Sequence, residues 1–343
     1  MTGLLDFVAR FRTEAHCIAY LADLRWPGGY CCANCRGRSG WQLPSRPRTW
    51  ECAACHHQAS VTSGTILHRT RTALPKWFLA AYLMGNDKRG VSASHLQRAL
   101  GVRYETAWTM AHKLRHGLSE ADTRVLGGLV EADETYVGGH GDTASRGRGT
   151  AHPDKSLVVA AVEKRPLRRQ ARRKHCHAVK RQHGFRAGSL RIGVLKTATA
   201  PALGAFLRAN IAARSHLLTD AFASYRSQAA ALSEHLRHTP VVQGAGAAAG
   251  EHFPIIHTLF SNMKAWLVGT HHGVSAKHLP RYLREWAYRF NRRFLDEGPA
   301  LYLIRRAVEC ATITYNQLVR GEMINGAERV RRGAAASKPA LTG

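Results

Sequence analysis

The chain has 343 residues, 45% of them apolar, which is enough for two or three domains and excludes a disordered basic tail. Fifty Lys and Arg against 23 Asp and Glu give a formal net charge of +27, a surplus that points to a polyanionic partner, nucleic acid first. A membrane surface is set aside, because no long apolar run and no terminal basic amphipathic helix is present.

In chain order, Leu4, Leu5, Val8, Phe11, Ile18 and Leu21 fit a helical period and predict an N-terminal helix within residues 1–27, with these side chains in its core. The segment lacks the apolar stretch and cleavage site of a signal peptide, so the expected location is the cytoplasm. The chain's eight cysteines are then expected as thiols or metal ligands. Cys32-x2-Cys35, sixteen residues, and Cys52-x2-Cys55 have the spacing of a four-cysteine zinc ribbon, predicted over residues 28–62 with a structural Zn²⁺. Each pair makes a knuckle that offers two thiolates from one side, and "WQLPSRPRTWEC" suits the hairpin between them. Cys31 would break the two-residue spacer, and His56 and His57 read as surface or DNA-facing residues.

Residues 63–125 read as a helical connector. Pro75 sits in the first turn of a helix running to about Gly85. Two short helices follow around Gly101-Val102, with Ser92 or Ser94 as cap and an apolar stripe of Ala99, Leu100, Val102, Ala107, Trp108, Ala111 and Leu114. This is a helix-turn-helix pattern, whose second helix is expected to present Arg103, Tyr104, Glu105, Thr109, His112 and Lys113. Arg103 and Lys113 are the expected DNA contacts; a plain helical hairpin is the alternative.

"VEADETYVGG", residues 130–139, gathers Glu131, Asp133 and Glu134 at the end of an alternating strand. "SLVVAAVE" and "GSLRIGVL" read as two further strands, "APALGAFLRANIAA" as a helix, and "HLLTDAFASY" as a strand ending at Asp220. Three strands, a helix and a fourth strand ending in aspartate is the ribonuclease-H-like α/β order, predicted over residues 126–322. In that fold the first and fourth strands are neighbours, and their aspartates can share two divalent cations.

The pieces "RWPGGYCCANC", "CAACHHQASVTSGTILHRT", "VEADETYVGG", "LLTDAFASY" and "NMKAWLVGTHHGVSAKHLPRYLREWAYRFNRR", in this order, resemble the zinc-ribbon-headed DDE transposases of bacterial insertion sequences, in particular the ISXO-type group. The resemblance implies that Asp133 and Asp220 are the first two catalytic acids, with Glu131 and Glu134 as flanking residues and Glu134 able to steady a water. Transposases of this fold usually carry a helical Glu as third ligand, with Lys seven residues later. Here "PIIHTLFSNMKAWL" holds no carboxylate, and His257, Ser261 and Lys264 share one helical face above a buried stripe of Ile256, Leu259, Met263 and Leu267. His257 is the expected third ligand; Asn262, and then Glu251 in the preceding loop, are the alternatives. The expected catalytic metal is Mg²⁺, or Mn²⁺ as the imidazole favours. The same resemblance implies that Glu285, Arg289 and Arg292 organise DNA phosphates, with Asn291 and Arg293 extending the contact; an i,i+4 surface salt bridge is the plain alternative.

Residues 163–189 depart from the pattern, with a dense basic run longer than such a hairpin needs, expected to touch phosphate. Residues 241–252 read as a flexible loop, and 323–343 as a disordered tail. The expected activity is metal-dependent strand cleavage and strand transfer on double-stranded DNA. The expected substrates are the element's terminal inverted repeats and a target, engaged by a homo-oligomer in the nucleoid. A non-catalytic zinc-ribbon and helix-turn-helix regulator, or a domesticated nuclease of the same fold, are the alternatives.

Overall fold

The computed structural model describes residues 3–118, 125–138, 155–167, 184–220, 225, 236–241, 253–293 and 298–321. The chain divides into two compact units: Met1–Asp122 with Arg292–Arg320, and Thr123–Asn291 with Gly321–Gly343. The stretch expected as one catalytic domain, 126–322, is therefore interrupted, because two C-terminal helices pack on the N-terminal unit.

That first unit begins with two helices, α1 (Leu4–Arg10) and α2 (Glu14–Arg25), where one was expected. The break lies at Thr13, whose extended backbone and side-chain oxygen, accepting from the His16 amide at 3.2 Å, start a new helix. Phe7, Phe11, Ile18 and Leu21 are buried, but Leu4, Leu5 and Val8 are 44%, 84% and 43% exposed and do not belong to the core. The ribbon follows as β1 (Gly40–Leu43), β2 (Arg46–Cys52) and β3 (Gln58–Ser60), an antiparallel sheet in that order.

Helix α3 (Leu74–Asn86) carries Pro75 in its first turn and buries Trp77, Phe78, Ala81 and Met84. Helices α4 (Ala93–Leu100) and α5 (Tyr104–Gly117) flank Gly101, whose left-handed backbone (φ 58°) makes the turn that side chains with a Cβ resist. Ser92, not Ser94, caps α4 by accepting from the His95 amide at 3.1 Å. His112, expected on the presented face, is fully buried against Trp108, 4.0 Å between ring centroids. Helices α9 (Pro299–Glu309) and α10 (Tyr315–Arg320) complete the unit. They are tied in by the Ile66 amide donating to Ala307 and by a bridge between Thr65 and Ala311. Gly85 of α3 admits the start of α9: a Cβ there would meet the Ala300 nitrogen at 3.0 Å.

The second unit is a five-stranded sheet in the order β6–β5–β4–β7–β8. Strands β4 (Leu129–Val137), β5 (Ser156–Pro166) and β6 (Phe185–Leu195) are antiparallel, while β7 (Ser215–Asp220) and β8 (Leu236–Val241) run parallel to β4. This is the ribonuclease-H-like arrangement, a mixed sheet flanked by helices. Strand β5 reads as a continuous apolar run because both of its faces are covered. Val158, Ala160 and Val162 meet α7 (Pro254–His271) and α8 (Leu279–Asn291) on one side. Val159 and Ala161 meet α6 (Ala200–Asn210) on the other. The β5–β6 hairpin is longer than expected, taking Lys164–Pro166 and residues 185–187 out of the basic run and into paired strand. Residues 168–183, most of the loop before Phe253, Glu251 and the tail lie outside the described residues.

Candidate active site and metal centre

In the ribbon, two knuckles of matching geometry bring four sulfurs together. The Arg36 amide donates to Cys32 and the His56 amide to Cys52, both at 3.0 Å, and Arg36 and His56 each take the left-handed conformation that closes the turn (φ 63° and 55°). The Cys32 and Cys55 sulfurs stand 3.6 Å apart, those of Cys35 and Cys52 3.5 Å, and all four lie within 4.8 Å of one another. Four thiolates about 2.3 Å from one tetrahedral Zn²⁺ would stand about 3.8 Å apart, so the group is close enough to bind a metal such as zinc. Backbone donation from Cys35 and Asn34 draws the Cys32 thiol down to about 6, which favours the ligating thiolate.

In the second unit the alternation of β4 sorts its three acids. Glu131 and Asp133 face α7, while Glu134 faces the α6 side. Glu131 is fully buried. One of its oxygens accepts from the Ile256 amide at 3.1 Å, and the other lies 3.1 Å from the Lys164 ammonium. Helix α7 begins at Pro254 with no side-chain cap of its own, so Glu131 supplies the missing acceptor from the neighbouring strand. Two β4 carboxylates, Glu131 and Asp133, thus lie near the positive end of the helix that carries His257.

Asp133 accepts from the Glu134 amide at 2.8 Å, and its second oxygen lies 3.2 Å from His257 Nε2. That hydrogen bond raises the His257 pKa against the opposing effect of burial, with the charges of Asp133, Glu131 and Asp220 adding to the rise. The parallel register pairs Val130 with Leu217 and Glu131 with Leu218. The pairing ends there, two residues short of Asp133 and Asp220, and His257 feels the charge of both aspartates. Asp220 is 5% exposed. Lys264 is exposed two turns along α7, and its pKa is lowered by desolvation and by Lys155 against the pull of Asp133. The structure therefore groups Asp133, Asp220 and His257, with Lys264 in electrostatic reach. Asn262 is exposed, and the contact to Asp133 belongs to His257. Among the described residues only the four cysteines bring three or more such donor atoms all within 4.8 Å, so the acidic group is the more open of the two.

Tyr225 escaped the sequence reading, although it lies inside "LLTDAFASY", five residues beyond Asp220. Its buried hydroxyl donates to Glu134 at 2.6 Å. Burial and the charge of Glu134 both raise its pKa, so it stays a donor, and Glu134 is held on the face opposite Asp133.

The expected DNA contacts fare differently. Arg103 is exposed at the start of α5 and Lys113 is half-buried. Glu285 and Arg289 are not available to a phosphate: their side chains are 1% and 7% exposed. They pair with each other at 3.6 Å, and the guanidinium lies 4.7 Å from the Trp266 ring centre and 5.9 Å from that of Trp286. Enclosure by two indoles makes this pair part of the α7–α8 packing. Arg292 is half-buried, its guanidinium stacked 3.3 Å from the Tyr302 ring centre.

Comparison with known families then matches residues 125–291 to the ISXO2-like transposase domain and residues 12–58 to the transposase zinc-ribbon domain. Both domains of the zinc-ribbon-headed ISXO2-like transposases are thus matched in this chain. The transposase domain spans every element that brings Asp133, Asp220 and His257 together, and the ribbon domain includes all four cysteines. An uncharacterized protein in transposable element ISH50 of Halobacterium salinarum is 29% identical over 171 residues, covering 46% of this chain and 57% of that relative. The match thus spans little more than half of the relative's length. Among the described residues, no helix is long and apolar enough to cross a membrane.

Proposed function

We propose that the chain is a transposase that binds the terminal inverted repeats of its own insertion sequence and carries out metal-dependent strand cleavage and strand transfer. The observation that supports this reading is the His257–Asp133 contact at 3.2 Å, with the charge of Asp220, from the strand parallel to β4, also reaching His257. Asp133 and Asp220 would hold Mg²⁺ or Mn²⁺ between them, with neutral His257 as third ligand. An open set of oxygen donors suits two such cations better than the tight sulfur cluster of the ribbon. Bound there, the cations would supply activation of the attacking hydroxyl and stabilisation of the leaving oxygen of a phosphodiester. The protein's own contribution is positional. Glu131 fixes the start of α7, Asp133 orients the His257 ring, and Lys264 offers a cation to phosphate from the same helical face.

The ribbon cysteines would hold one Zn²⁺ as a structural ion, and Arg103, Lys113 and Arg292 remain as DNA contacts. The test is strand joining by purified protein on duplexes carrying the element ends, in Mg²⁺ and in Mn²⁺. Asp133→Ala and Asp220→Ala are each expected to abolish joining and to leave end binding intact. His257→Ala is expected to remove joining where Asn262→Ala does not. Joining at the unsubstituted rate by either aspartate variant overturns the reading.

A further inference from the structure

We infer that the first unit contains a built phosphate subsite, a recess between the start of α3 and the inner face of α5, that takes one backbone phosphodiester of bound DNA through Lys113 and Arg69. It rests on the reading of the chain as a DNA-binding transposase and adds to it a position and a chemistry. The recess measures about 280 Å³, just below the range of about 300–1,000 Å³ typical of small-molecule pockets, so it suits a group projecting from a polymer.

Its lining is a set of donors. Lys113 and Arg69 have donors only, and neither has a hydrogen-bond or ion-pair partner among the described residues, so the occupant must bring the acceptors. Desolvation lowers the Lys113 pKa, an effect that a bound anion reverses. His68 Nδ1 accepts from the Gly64 amide at 3.3 Å, so in the neutral ring the proton sits on Nε2 and adds a third donor to the lining. Against these stands one acid, Glu105.

The loop that carries Arg69 is held in shape for the purpose. Arg69 adopts a left-handed backbone (φ 54°), unfavourable for a residue with a Cβ. The Arg48 guanidinium pins the loop on the far side, donating to the Thr70 and Thr72 carbonyls at 2.9 and 3.3 Å. The Trp77 indole donates to the Thr70 hydroxyl at 2.9 Å. Strain maintained by three hydrogen bonds, beside an unpartnered half-buried ammonium, marks preorganisation for an anion.

The experiment is a salt titration of full-length protein binding to a short fluorescent duplex, with Lys113→Met and Arg69→Asn as variants. Asparagine tolerates the left-handed conformation, so Arg69→Asn removes the charge without penalising the fold; thermal midpoints check that both variants are intact. Each variant is expected to weaken binding and to reduce the magnitude of the slope of log K against log salt by up to about 0.9, the share of the one phosphate contact the two residues make together. Slopes unchanged in both variants, with wild-type binding intact, overturn the subsite alone. Failure of the wild-type protein to bind any duplex overturns it together with the reading beneath it. A second arm measures stabilisation by inorganic phosphate. If the variants lose that stabilisation while their DNA slopes stay unchanged, the recess takes free phosphate and the proposal fails.

Discussion

At the scale of single residues, the acidic cluster divides into three tasks set by direction and burial. Asp133 faces His257, Glu134 is held by Tyr225, and Glu131 is buried beneath the first turn of α7. Glu131→Ala removes an acceptor and leaves the Lys164 ammonium, 12% exposed, without its partner. Loss of one member of a buried pair costs about 3–5 kcal/mol, so urea unfolding of this variant should show that loss, with joining reduced alongside. Replacement of Lys164 by Met is expected to give a similar loss. A second carboxylate, Glu163, is 5% exposed and accepts from the Ser189 amide at 3.1 Å, the Gly127 amide at 3.3 Å and the Arg165 guanidinium. Burial pushes its pKa up, but these donors outweigh it and the net shift is downward. A carboxyl with a depressed folded pKa contributes stability above its unfolded value, about 4.3, that is lost as pH falls through the folded one. Glu163→Gln should therefore flatten the acid limb of the stability–pH curve below about pH 5, read by thermal melts across pH. The roles of Glu131 and Glu163 were not legible in the sequence, because the deciding amides at Ile256 and Ser189 are 125 and 26 positions away.

At the scale of elements, legibility followed the stiffness of the local rule. Two C-x2-C pairs admit one geometry, and the strand and helix periods gave the faces of Asp133 and His257, together with the buried stripe of Ile256, Leu259, Met263 and Leu267. A Glu–Arg pair at i,i+4 reads the same on a surface as in a core. What decided Glu285 and Arg289 was Trp266, on a different helix. The N-terminal helix was misjudged because apolar periodicity runs straight through Thr13, and only the cap ends it. The ribbon itself is three short strands with little core between its knuckles, so metal binding and folding should be linked there. Purified protein is expected to carry one zinc per chain by metal analysis. Cys32→Ser or a strong chelator should remove it and unfold the ribbon, with loss of DNA binding. Ribbon structure and binding retained without metal would count against the assignment.

For the whole molecule, the surplus of positive charge predicted the class of partner but carried no information about how the chain is divided. Helix α9 buries Ala300, Leu303, Ile304 and Ala307 within the first unit, more than 200 residues beyond α3, against which it packs. Ending the chain at Arg293 should cost that unit about 3–6 kcal/mol for Leu303 and Ile304 alone, seen as faster proteolysis of α3 and binding of an apolar dye. The same arrangement has a consequence in time. On a ribosome making about 5–20 residues per second, the segment that pairs Ala307 with Ile66 and Ala311 with Thr65 emerges some tens of seconds after its partners. For that interval the nascent N-terminal unit must hold α3 uncovered while the Thr123–Asn291 part of the second unit is synthesised. Completion of the first unit is thereby deferred until nearly the full chain exists, and a prematurely ended chain is left with an apolar surface that marks it for degradation.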